Sequence, residues 1–110
     1  MIETEHVAVN LLSVPALQSA DELLTDILVR PGCRIERIVS FGQTTPVDRP
    51  FLQEWDEWVV VLQGAARLMM NDKEFTLMPG EHLLIPAHVA HWVTFTEPHS
   101  PTIWLAIHFY

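Results

Sequence analysis

The chain has 110 residues, enough for one domain and too few for two, so its chemistry must be arranged around a single core. Hydrophobic residues make up 49% and charged residues 18%, a balance that excludes a disordered or solvating segment. A formal net charge of -8, with only six Lys and Arg scattered along the chain, argues against nucleic acid and anionic membrane surfaces as partners.

The opening MIETEHVAVN lacks the basic and then apolar stretch of a secretory leader, and aliphatic runs such as Val59 to Leu62 are far too short to span a bilayer. A soluble, cytoplasmic protein is expected. Ser19 with Glu22 three residues on has the capping-box pattern, and Leu23, Leu24, Ile27 and Leu28 recur at helical spacing until Pro31 and Gly32. This predicts one short amphipathic helix within an N-terminal segment, residues 1–32. From residue 33 to 110 the period changes, and short runs rich in Val, Ile, Trp, Phe and Thr follow one another at close intervals. They predict strands at roughly 33–40, 57–63, 65–70, 74–78, 82–86, 90–96 and 102–109. Breaks at Gly42, Pro46, Pro50, Gly64, Asn71-Asp72, Pro79-Gly80 and Pro98 separate them. Seven short strands without intervening helices predict an all-β antiparallel sandwich or barrel. Cys33 has no second thiol to pair with, and reads as a small packing residue on its strand.

Strand parity predicts which side chains share a face. On the second predicted strand Glu57, Val59 and Val61 oppose Trp58, Val60 and Leu62; on the last, Trp104, Ala106 and His108 oppose Ile103, Leu105, Ile107 and Phe109. Both faces are apolar, although one should meet water, so the helix, a second subunit or both must cover the outside. A homodimer is the expectation, because two-fold contacts are the commonest way to bury such a face.

Glu57 followed by six residues and Gly64, and Pro86 with His91 five residues on, resemble the tail of the first and part of the second motif of the cupins; Pro79-Gly80 stands where that family has a turn. The first motif's two histidines would fall at Phe51 and Gln53, or at Pro50 and Leu52, the second motif's glycine at His88 and its asparagine at Phe95. The resemblance implies a double-stranded β-helix, the cupin or jelly-roll barrel. It also implies a lumen in which Glu57 and His91 stand at metal-ligand positions, with Gln53 as an oxygen-donor substitute. His108, on the face of Trp104 and Ala106, could add a second imidazole. Carboxylate, imidazole and amide oxygen suit a divalent transition metal, Zn, Mn, Fe or Ni. The alternatives are a rim-exposed Glu57 or one paired with Arg34, Arg37 or Arg67, and core histidines held by hydrogen bonds.

Trp55, Val93 and Trp104 fall on lumen-facing parity and are expected to line the pocket, with His88 beside it on a turn. No nucleophile elbow or phosphate loop is present, so chemistry would rest on a metal or on Glu57 and His91 as acid and base. Two functions follow: metal-dependent chemistry on a small organic molecule, or a non-catalytic barrel that binds or senses a small molecule without metal.

Overall fold

A computed structural model describes residues 7–14 and 19–110. It contains eight strands: β1 Leu23–Arg30, β2 Cys33–Ser40, β3 Asp56–Gln63, β4 Ala66–Met70, β5 Lys73–Leu77, β6 His82–Ile85, β7 His91–Thr96 and β8 Thr102–Phe109. All pairings are antiparallel, in a five-stranded sheet of order β1-β2-β8-β3-β6 and a three-stranded sheet of order β5-β4-β7. The two sheets enclose Val59, Val61, Leu68, Ile85, Trp104 and Ala106. This is the expected antiparallel barrel, with the seven predicted strands at or within a residue or two of their expected places.

The helix expected after Ser19 is absent, and its Leu23 to Leu28 are part of β1. Each half of the supposed capping box has another partner. Ser19 Oγ accepts from the amide of Asp21, while the Glu22 carboxylate accepts the hydroxyl of Ser40 on β2. β-branched Thr25, Ile27 and Val29 suit a strand, and the edge of β2 offers a full ladder of backbone partners. A bulge between Asp26 and Leu28 shifts the register, so Leu23 and Leu28 become the half-buried positions while Leu24 and Ile27 face water. Leucine spacing that resembles a helical face is thus a bulged edge strand.

Local chemistry sets the tight turns. Asn71 and Asp72 have φ of 54° and 60° and join β4 to β5 across the pair Met70 and Lys73, as a two-residue hairpin with two left-handed residues requires. The long connection from β2 to β3 is stitched along the free edge of β7. Thr45 N donates to Val93 O at 2.8 Å, Phe51 and His91 exchange backbone bonds of 2.9 and 3.0 Å, and Thr96 Oγ1 donates to Gln43 O at 2.7 Å. These bonds carry Phe51, Gln53 and Trp55 to one end of the barrel.

Residues 7–14 are tied to β2 of the larger sheet, where Arg37 Nη1 donates to the carbonyls of Leu11 and Ser13. No helix among the described residues is long and apolar enough to cross a membrane.

Candidate functional site

The ladder registers arrange the lumen in rows. Arg34 pairs with His108, His108 with Glu57, and Glu57 with Ile85, so three polar side chains stand side by side across four strands at one end of the barrel. The next rows, Glu36 with Ala106 and Val59, then Ile38 with Trp104 and Val61, become progressively apolar. From the facing sheet come His91 and, two residues deeper, Val93, opposite Met70 and Leu68. Between the sheets lies a cavity of about 210 Å³ lined by these polar groups together with Phe51 and Gln53. It is polar at one end and carbon-walled below.

Glu57 is almost fully buried, and burial pushes its carboxyl above the usual carboxylate range, outweighing the nearby His108 and His91 and a hydrogen bond from Gln53. Gln53 Oε1 is itself buried without a partner. His91 is 3% exposed and stacks on Phe51 with ring centroids 5.4 Å apart. Its Nδ1 lies 3.0 Å from the carbonyl of Val89, which can only accept, so the ring proton sits on Nδ1 and Nε2 carries a lone pair.

His108 is committed on both sides. The Trp55 indole donates to Nδ1 at 2.9 Å, and an indole can only donate, so the His108 proton is on Nε2, which donates to Glu36 Oε1 at 2.8 Å. Tyr110 packs on the Trp55 ring with centroids 5.0 Å apart. The bond from His108 is the largest influence holding Glu36 below the usual carboxylate range, against its burial, and Arg34, 3.7 Å away, adds to it. Arg34 also reaches Asp26 at 3.8 Å. Deeper, the Trp104 indole donates to Ser40 Oγ, whose hydroxyl goes on to Glu22.

Gln53, Glu57, His91, His108, Val93 and Trp104 therefore surround one cavity. Trp55 stands behind His108 as its donor and is not among the lining side chains, and His88 is exposed. His88 occupies the motif's glycine position and keeps a glycine-like backbone, φ 65°, with its amide bonded to Gln53 O at 2.7 Å. Glu57 has no ion pair with Arg34, Arg37 or Arg67 among the described residues: Arg37 holds the 7–14 segment and Arg67 lies over the Phe95 ring.

Glu36 and its partner Arg34 are the charged lumen residues that sequence reasoning did not place there. It offers Arg34 only as an ion-pair partner for Glu57 and gives Glu36 no role, because only the β2–β8 register sets Glu36 beside His108. The usable signal was parity, since Arg34, Glu36 and Ile38 alternate with Cys33, Ile35 and Arg37.

The implied metal can be tested against these groups. Among the described residues no three His, Cys, Asp or Glu are arranged to hold an ion. His108 has no free lone pair and Glu36 is engaged by His108 and Arg34, which leaves one imidazole, the Glu57 carboxyl and an amide oxygen, a poor ligand. The set does not fit a resident divalent transition metal.

An antiparallel double-sheet barrel with its polar groups gathered at one end of the lumen is the architecture of the cupins, and the chain belongs to that family: the cupin domain model matches residues 38–108. Among solved structures it is similar to a Ralstonia eutropha JMP134 protein provisionally named a mannose-6-phosphate isomerase. The two are 35% identical over 94% of this chain and 98% of the other, with a TM-score of 0.90. A cupin superfamily protein of Desulfitobacterium hafniense DCB-2 is 19% identical over 86% and 83% of the two chains, TM-score 0.71. Protein TT1209 of Thermus thermophilus is 17% identical over 93% and 95%, TM-score 0.77. The last two share the fold. No curated protein matches the chain.

Proposed function

We propose that this chain is a small-molecule-binding cupin whose lumen works without a resident transition metal. The observation that carries the reading is the double commitment of His108, to Trp55 and to Glu36, beside a mostly apolar cavity that still contains an unpartnered Gln53 oxygen. A cavity built to hold an ion would leave imidazole lone pairs free; this one spends an imidazole on internal order and keeps acceptors for an organic guest. We read the protein as a cytoplasmic homodimer that pairs through the outer face of its larger sheet. Protein purified without an affinity tag should contain no stoichiometric Zn, Mn, Fe or Ni by elemental analysis, and its melting temperature should not respond to a chelator. Stoichiometric metal that disappears in Glu57→Ala and His91→Ala would overturn the reading.

A second reading is favoured by Glu57, whose raised pKa beside the His91 lone pair suits proton transfer, and by the isomerase name of the Ralstonia protein. Its phosphorylated substrate matches this lumen poorly. Two carboxyl groups line the cavity, and its one guanidinium, that of Arg34, is already shared between Glu36 and Asp26. Turnover of mannose 6-phosphate that is lost in Glu57→Gln would establish this reading over the first.

A further inference from the structure

We infer that the guest is a compact primary amine, its ammonium group bonded by Glu57, Gln53 and His91 and its apolar body lying against Trp104, Val59, Val93 and Leu68. The inference rests on the metal-free binding reading above and names the ligand class of that same lumen.

Three acceptors line one cavity from three parts of the fold: the Glu57 carboxyl from β3, the partnerless Oε1 of Gln53 from the stitched connection, and Nε2 of His91 from β7. A primary ammonium has three N–H donors and no acceptor, which matches that set. The Trp55 indole N–H and the His108 Nε2–H are used within the protein, so the unpartnered donor on the cavity wall is the buried Nε of Arg34, on the β2 side away from His91. A carboxylate or phosphate placed between Glu57, Gln53 and His91 would face acceptors.

Charge points the same way. Of the six Lys and Arg only Arg34 lines the cavity, and it is held by Glu36 and Asp26. Glu57, 7% exposed, is left with no cation of its own among the described residues. A buried carboxyl without a cation is the strongest attractor for one that an otherwise apolar cavity can contain. The rings of Phe51 and Trp104 on the same walls suit a cation and its hydrocarbon body.

Size limits the body. A cavity of about 150 Å³ holds benzene, so this one has room for roughly eight non-hydrogen atoms.

Three probes share one ring and differ in head charge: benzylammonium, benzyl alcohol and benzoate. Calorimetric titration of the whole protein in mildly alkaline buffer with chelator present should rank benzylammonium first, at least about tenfold tighter than the alcohol, with benzoate not bound. In Glu57→Gln, which is isosteric, the preference for the ammonium over the alcohol should vanish while the alcohol still binds. Gln53→Leu serves as the second variant and should weaken the ammonium alone. Equal or tighter binding of benzyl alcohol, or any preference for benzoate, would overturn the amine and leave the metal-free lumen standing. Failure of all three probes, with Zn²⁺ or Ni²⁺ instead bound stoichiometrically through Glu57 and His91, would overturn both, and failure of all three without metal binding would overturn the amine.

Discussion

Glu36 and Glu57 share one cavity and are driven in opposite directions. Glu36 receives a hydrogen bond from His108 and lies near Arg34, so its folded pKa is below the usual 4.5; Glu57 is desolvated, so its folded pKa is above it. Linkage then gives opposite slopes. The stability that Glu36 contributes is present above the unfolded value and is lost as pH falls through its lower folded pKa. Glu57 behaves inversely: as pH rises from 4.5 through its raised folded pKa, the unfolded chain releases the proton more readily, and stability declines. Urea melts of Glu57→Gln should therefore be flatter than wild type above pH 4.5 and give the more stable protein at neutral pH. An unchanged slope there would remove Glu57 as its source. Glu36→Gln should cost about 1–3 kcal/mol at neutral pH, since it weakens a buried charge-assisted bond to His108.

Gly64 shows how an element's end is set by space as much as by conformation. It closes β3 at φ 87°, and a Cβ there would stand 2.8 Å from the Cα of Thr102, where β8 begins. The hydroxyl of Thr102 donates to Ala65 O, so the contact is fixed by backbone on both sides. Gly64→Ala should lose at least about 1–2 kcal/mol from the left-handed backbone alone, and more from the clash. Equilibrium denaturation measures this, and a loss below about half a kilocalorie per mole would mean that β8 can shift away freely. The glycine of the motif is thus required by the close approach of the turn after β3 to the start of β8, at the opposite end of β3 from the site.

Across the whole molecule, the outer face of the larger sheet is only partly covered. Val60 and Ile103 are buried, Trp58, Leu62, Leu105 and Ile107 are half-buried, and Leu84 and Phe109 are exposed. Leu84, Trp58 and Ile107 are consecutive neighbours across β6, β3 and β8, a continuous apolar row. Burying several hundred Å² of such surface at about 25 cal/mol per Å² would contribute on the order of 10 kcal/mol before the entropy of association. Sedimentation equilibrium at micromolar concentration should find a dimer, and Leu84→Asp should dissociate it without unfolding the chain, because Leu84 is 50% exposed in the single chain. A wild-type monomer would show that this face needs no second subunit to cover it.

Strand order along the chain, the faces of β3 and β8 and the inward placement of Glu57 and His91 were legible in the sequence, because period-two alternation and turn residues are local signals. The N-terminal region was misread for a physical reason: Leu23 to Leu28 satisfy a helical period, and only the distant edge of β2 and a bulge make them a strand. The same holds for the site. Local spacing could place Glu57, Gln53, His91 and His108 on one side of the wall, but not say what each ring nitrogen bonds. That was decided by the β2–β8 register, which brings Glu36 to His108 across 72 positions of chain, and by the stitched connection that delivers the Trp55 indole 53 positions before it. A hydrogen-bond partner is a matter of three-dimensional proximity, so the difference between a free ligand nitrogen and a committed one lies in the tertiary structure alone.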